Sequence, residues 1–332
     1  MSTASTHQCV ICQQPTATAC ALCIDTPPYL TPQSPIYICS SATCSTAHGA
    51  LCTTLQKRRA LYRAGATLQA IFYDFRAQLF EIPVLRTERR GDKLLVWIKA
   101  FEPLQIDHDL IRGVPEGVVR DGEDRLALLS FARSLDAVAF MHELVKYFLK
   151  DLTTDILEVC YLPPRTLPLQ ILLFGPNDQD IGLIPPHHLL KLTLGHETYA
   201  LDLAGAQYGF PAPIIPWATY LQTRCSSERG AIATGHFLYF GSARDRKVVI
   251  RLQDTWEAVL ADMHLEAAKQ MRDMMIHWEA RTGVGISEVL GGSGRVEFEW
   301  REGELRGVLR GAVRFWVDWH AERAREALMV DP

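Results

Sequence analysis

The chain has 332 residues, a formal net charge of −4, and 48 % hydrophobic and 22 % charged residues. That length is too great for a lone finger and enough for one large domain or two ordinary ones, and the composition is that of a soluble globular protein. The charge argues against nucleic-acid binding by net charge alone; no apolar run reaches the roughly 18–20 residues of a membrane helix, and the opening MSTASTHQCVICQQ lacks the basic-then-apolar pattern of a secretory signal, so the expected location is intracellular, nucleus or cytoplasm.

Seven of the nine cysteines lie between Cys9 and Cys52, and only Cys160 and Cys225 fall elsewhere. An odd number of clustered cysteines with a histidine beside them fits metal ligation better than disulfides. The candidate ligands are Cys9, Cys12, Cys20, Cys23, Cys39, Cys44, His48 and Cys52. Eight ligands make two tetrahedral sites; the alternative is a finger with one site filled. Two C-x2-C pairs, Cys9/Cys12 and Cys20/Cys23, let both thiolates of a knuckle turn reach one ion at about 2.3 Å. His48 and Cys52 are four apart, a spacing that puts both on one face of a helix. The segment carries Pro27, Pro28, Pro32 and Pro35 and is too short to bury a core of its own, so metal would supply most of its stability.

The order C-x2-C, C-x2-C, Tyr-x-Cys-Ser at 37–40, Cys44, then His48-x3-Cys52 resembles the MYND-type zinc finger over about residues 9–52. The resemblance implies a cross-braced module with two Zn2+ ions. Cys9, Cys12, Cys39 and Cys44 would hold one, and Cys20, Cys23, His48 and Cys52 the other. It further implies a protein partner, short proline-rich peptides among them, in a regulatory and often transcriptional role. The chain departs from the family between Cys44 and His48, which are only four apart, with Ser45 in place of the usual glutamine and no tryptophan. The finger's last helix is therefore expected to be trimmed. On this reading residues 1–53 are the finger and 54–332 an α+β domain of unknown function.

Beyond Cys52, Leu61, Ala64, Leu68, Ile71, Phe72, Phe75 and Leu79 recur at three- and four-residue steps, which predicts an amphipathic helix over about 54–81. Near its start Lys57, Arg58, Arg59 and Arg63 form a basic cluster, either a nuclear-import or phosphate-contacting patch or a solvated helix face. Two β-rich runs flank Arg90-Gly91-Asp92, where the triplet is turn chemistry in a hairpin. A helix is predicted over 122–150, strands at 156–162 and 169–175, a hairpin at 187–204, a helix over about 254–282 with Asp254 as its N-cap, and another over about 309–328. The fold class is α+β: a small two-zinc finger followed by one larger domain.

The hairpin at 187–204 carries the one alternative with chemistry in it. If its loop is Gly195-His196-Glu197, Leu190 faces Asp202, and His188 and Asp202 share a face of the sheet. A histidine and an aspartate so placed, followed by Gln207, resemble the later part of a papain-like or transglutaminase-like core, as an enzyme or an inactive relative. The nucleophile is the missing piece: Cys160 sits in an apparent strand and Cys225 follows the hairpin, so the balance falls against an enzyme. Tyr-Ala-Leu-Asp-Leu-Ala-Gly-Ala-Gln-Tyr-Gly at 199–209, with Pro-Trp-Ala-Thr-Tyr at 216–220, also resembles fungal MYND-finger proteins of uncharacterised function.

Overall fold

The computed structural model describes residues 7–21, 23, 25–30, 36–99, 114, 117–119, 122–163, 166–182, 186–225, 237–253, 255–292 and 294–330. A small hairpin, β1 (His7–Gln8) and β2 (Pro15–Thr16), precedes a 37-residue helix, α1 (Ala42–Gln78). A second hairpin follows, β3 (Val84–Arg90) and β4 (Lys93–Ile98), turning at Gly91 with φ +60°. Three short helices come next, α2 (Gly122–Ser130), α3 (Ser134–Phe140) and α4 (His142–Leu149), then β5 (Asp155–Tyr161), β6 (Gln170–Phe174), β7 (His187–Leu194) and β8 (Glu197–Leu201). A 3-10 turn (Gly205–Tyr208), β9 (Ile214–Pro216), α5 (Trp217–Arg224), β10 (Phe237–Tyr239), α6 (Ser242–Ile250), α7 (Trp256–Thr282), α8 (Ile286–Gly291) and α9 (Arg295–Val330) complete it. The molecule is α+β, with a cysteine-rich N-terminal part ahead of a larger mixed region.

Helix α1 explains most of the architecture. Its apolar positions Leu61, Ala64, Leu68, Ile71, Phe72 and Phe75 are all buried, as the three-and-four spacing requires. It starts at Ala42 rather than near 54, because residues 42–53 contain no proline and the single Gly49 costs too little to stop it. The helix that carries Cys44, His48 and Cys52 thus continues without a break into the larger region. Burial extends to polar positions as well, and Arg58, Arg59 and Arg63 are at most 9 % exposed. They are neither a phosphate-contacting patch nor a solvated face. Arg59 donates to the Gly291 carbonyl at 2.7 Å and Arg63 to that of Leu290 at 3.1 Å, where α8 ends with unpaired carbonyls that favour a cation. Of the four basic residues only Lys57 stays at the surface.

A five-stranded antiparallel sheet, ordered β10-β5-β7-β8-β9, packs one face against α1. Leu190, Leu192, Leu194, Tyr199 and Leu201 point into this main core. The approach is close: a Cβ added at Gly65 would land on the Ile214 side chain, so glycine at that point lets helix and strand meet. The other face, with Val159, Tyr161, Leu189 and Ala200, forms a smaller core closed by Trp217 and Tyr220 of α5. A three-stranded sheet, β3-β4-β6, has β4 and β6 parallel.

The predicted helix over 122–150 is broken twice. Ala132 adopts φ +58° and gives its N–H to Gln207 Oε1 at 3.0 Å instead of to a helical carbonyl, and the chain turns again at Met141. The apolar periodicity survives the breaks, which is why it could not reveal them. Helix α7 matches its expected span; the expected cap Asp254 lies outside the described residues, and Thr255 Oγ1 accepts from the Ala258 N–H at 3.2 Å. Helix α9 begins at Arg295 rather than near 309.

At the far end of α1 the core contains charge. Arg76, fully buried, pairs with Glu81 at 2.8 Å and donates to the carbonyls of Leu129 and Leu79. Glu81 also pairs with Arg133, Arg133 with Asp136 at 3.1 Å, and Asp136 with Lys247 at 2.5 Å. His264 of α7 is buried between the rings of Phe75 and Phe140. Burial, reinforced by Arg76, pulls its pKa down to about 3. The unfolded chain takes up a proton here below its ordinary pKa of about 6.5 and the folded chain does not, so stability is lost as pH falls from there towards 3. The expected size is about 1.4 kcal/mol per pH unit. Urea denaturation between pH 6.5 and 5 should show a slope shallower by about that amount in His264→Leu; equal slopes would place the charge change elsewhere.

Candidate metal centre

The cysteine-rich part is built from two knuckles and the start of α1. The β1–β2 hairpin holds the first knuckle: Cys9 N–H donates to Gln14 O at 2.8 Å, Gln13 N–H returns to Cys9 O at 2.9 Å, and Gln13 takes φ +62° to close the turn. In the second, Cys23 N–H donates to Cys20 O at 3.0 Å. Strand-like pairing of Ala19 with Tyr37, flanked by Cys20 N–H to Ile36 O and Ile38 N–H to Thr18 O, brings Cys39 alongside. Cys44, His48 and Cys52 then follow at steps of four along the first turns of α1, on one face.

These elements bring all eight sequence-derived ligands together, in two sets. Cys9, Cys12, Cys39 and Cys44 form one; Cys20, Cys23, His48 and Cys52 form the other; within each set the ligand atoms lie within 4.8 Å of one another. The sets interleave along the chain, so the part is cross-braced as a zinc finger is. Cys12 Sγ lies 3.7 Å from Cys39 Sγ, Cys20 Sγ 3.9 Å and Cys23 Sγ 3.5 Å from Cys52 Sγ, and Cys23 Sγ 3.4 Å from His48 Nε2. A tetrahedron with zinc–sulfur bonds of about 2.3 Å has edges of about 3.8 Å, so the spacing is that of ligands around one ion.

The electrostatics agree with the donor set. Burial, then the neighbouring thiols of Cys52 and Cys20, push the Cys23 pKa well up, and the thiols of Cys39 and Cys12 push Cys44 to about 12. Thiols crowded in this way stay protonated unless a cation sits among them. Cys9 goes the other way: the backbone N–H groups of Cys12, Cys39 and Ile11 face its sulfur and lower it to about 6. The two clusters could hold two zinc ions.

The second cluster is sealed against the rest of the protein. Its four ligands are buried, and Leu55, Ile36 and Ile38 pack on them. The following loop docks on the β7–β8 hairpin. Thr26 Oγ1 donates to Leu55 O, Arg58 bridges Pro27 O and the Glu197 carboxylate, and Thr198 N–H donates to Tyr29 Oη at 3.1 Å. Tyr29 also lies against Tyr199, ring centroids 5.2 Å apart. The first cluster is more open: Cys12 is exposed and Cys39 half-buried, with Val10 and Ile11 between the knuckle cysteines each 39 % exposed.

The proposed histidine–aspartate pair does not form as expected. Leu194 pairs with Glu197 and Leu190 with Leu201, so the loop has two residues, Gly195 and His196, and the register is one step away from the expected one. One step reverses the faces. It is His187 Nε2 that lies 3.0 Å from Asp202 Oδ1, on the face of the smaller core. Asp202 also accepts from Tyr220 Oη at 3.1 Å and lies 3.4 Å from Arg224, and Gln207 Nε2 is 3.3 Å from His187 Nδ1. Burial would raise the Asp202 pKa, but His187 and Arg224 together hold it below the usual carboxylate range. His187, Asp202, Gln207 and Tyr220 are each at most 1 % exposed, so the group acts as a buried clasp joining β7, the 3-10 turn and α5.

His188 points into the main core instead, with Cys160 Sγ, its cross-strand neighbour, 3.5 Å from its Nε2. Burial lowers the His188 pKa to about 4 and raises that of Cys160, which leaves a neutral thiol beside a neutral ring at pH 7. A thiol nucleophile needs the opposite shifts. Among the described residues no helix is long and apolar enough to cross a membrane. No family model, curated protein or solved structure matches this chain.

Proposed function

We propose that the cysteine-rich part is a MYND-type finger that recruits a protein partner in a regulatory role, in the nucleus or cytoplasm, with short proline-rich peptides as the ligand class. The observation that carries this reading is the division of the module into two ends. The loop Thr26–Tyr29 is used up in contacts with Leu55, Arg58 and the β7–β8 hairpin, whereas Val10 and Ile11, between the knuckle cysteines of the first cluster, are each left 39 % exposed. A purely internal folding element has no need of apolar side chains held outward on a metal-braced knuckle. An extended proline-rich segment, with little conformational entropy to lose, suits a small apolar surface of this kind.

The test uses the zinc-loaded, full-length protein and a labelled proline-rich peptide of about ten residues, followed by fluorescence anisotropy. Saturable binding in the micromolar range is expected, weakened at least about tenfold by Val10→Asp and Ile11→Asp at unchanged zinc content. Binding that is absent, or indifferent to both substitutions, would count against a recruiting surface at this end.

A further inference from the structure

We infer that the Cys9/Cys12/Cys39/Cys44 cluster is a peroxide-sensitive zinc site, with Cys12 as the reacting thiolate and Cys39 as the sulfur that resolves it. The inference rests on the zinc-finger reading above and adds a difference between the two clusters. Three observations separate them. The first is access: Cys12 is exposed and Cys39 half-buried, while Cys20, Cys23, His48 and Cys52 are all buried. The second is charge. Four thiolates around Zn2+ leave more negative charge on sulfur than three thiolates and an imidazole, and thiolate character governs attack on an oxidant. The third is hydrogen bonding. Gln56, one helical turn beyond Cys52, gives its Nε2–H to Cys52 Sγ at 3.0 Å, which draws charge from that sulfur and holds it in place.

The geometry for the second step is also present. Cys12 and Cys39 sulfurs are 3.7 Å apart. A disulfide needs about 2.05 Å, a closure within reach of a knuckle and an adjoining extended segment. In the first step the Cys12 thiolate attacks one oxygen of hydrogen peroxide and the O–O bond breaks. The leaving hydroxide takes a proton from solvent, giving water and a sulfenic acid on Cys12. The Cys39 thiolate then attacks that sulfur, the S–O bond breaks, and the departing hydroxide takes a second proton. Two thiolates have lost two electrons, peroxide has gained them, and two waters and one disulfide result. Cys9 and Cys44 alone would then be left to hold a zinc ion at this site, too few to retain it. The Cys20/Cys23/His48/Cys52 site would keep its four ligands and its hold on α1. The knuckle bearing Val10 and Ile11 loses its brace, so oxidation would withdraw the partner surface and leave the larger region folded.

The experiment starts from reduced, full-length protein whose zinc content is measured before hydrogen peroxide is added in the presence of a chromophoric zinc chelator. One of the two zinc ions should leave at least about tenfold faster than the other. Peptide mapping without reductant at that point should find the Cys12–Cys39 disulfide, and a thiol reductant with added zinc should restore the starting content. Gln56→Leu should speed the slow release and leave the fast one unchanged. Fewer than two zincs in the reduced protein would overturn both the finger reading and this one. Two zincs that leave together, or a first disulfide among Cys20, Cys23 and Cys52, would overturn this one alone.

Discussion

Replacing Cys52 with serine should lower the stability of the whole chain, not of its N-terminal part alone. Cys52 is a ligand of the sealed cluster and a residue of α1, and α1 is the helix on which the main core is assembled. Loss of that zinc frees the first turns of the helix and, with them, the loop whose Thr26, Pro27 and Tyr29 engage Leu55, Arg58 and Thr198. Arg58 then loses its hydrogen bond to the Pro27 carbonyl while remaining paired with Glu197. A structural zinc site contributes about 10–16 kcal/mol to folding in isolated fingers. Transmission of even a quarter of this through α1 gives an expected loss of about 3 kcal/mol in the large region. Urea unfolding of the larger region, read by near-ultraviolet circular dichroism of buried aromatics such as Trp278, should shift to lower denaturant in Cys52→Ser and in chelator-treated protein alike. Two transitions, of which only the first responds to chelator, would show that the helix does not carry the coupling.

The other large effect is expected at Glu81. Its carboxylate faces two cations, Arg76 and Arg133, and Arg76 has no exposed surface. Glu81→Ala therefore strands a guanidinium in the core, with the Leu129 and Leu79 carbonyls as its remaining hydrogen-bond acceptors among the described residues. Removing one member of such a buried pair costs about 3–5 kcal/mol, because the remaining charge has lost both water and partner. Exchanging both for apolar groups removes that penalty, so Arg76→Met with Glu81→Leu should recover most of the loss. Equal destabilisation by the single and the double change, measured by urea midpoint, would mean that the space around Glu81 matters and its charge does not.

The metal clusters were legible in the sequence to an unusual degree, for a physical reason. Ligand chemistry is restricted to a few residue types, and knuckle and helix spacings of three and four are short-range geometry, so the residues from Cys9 to Cys52 announce the ligands, while their interleaving came from the resemblance to the MYND-type finger. The apolar stripe from Leu61 to Phe75 was legible on the same terms. What could not be read depended on distant partners. The break at Ala132 exists because Gln207 offers its N–H an acceptor. The basic cluster resembled a surface patch because nothing local shows that α8 would present its terminal carbonyls to Arg59 and Arg63. The β7–β8 hairpin shows how little separates two chemistries. A two-residue loop in place of three moves the aspartate partner from His188 to His187, and a site open to catalysis in one register becomes a buried clasp in the other.

Helix α1 also fixes an angle. Cys44, His48 and Cys52 at one end and Arg58, Arg59, Arg63 and Arg76 further along hang on one uninterrupted screw. Each residue of that screw turns the chain by about 100° and advances it by about 1.5 Å. A single residue inserted between Cys52 and Arg58 would leave every ligand and every arginine in the sequence and rotate one group by nearly a third of a turn relative to the other. Either the knuckles would keep their metals and leave the hairpin, or the arginines would keep their carbonyls and pull the ligands off their ions. The spacing between these two sets of side chains is therefore as much a functional property of the protein as their identity.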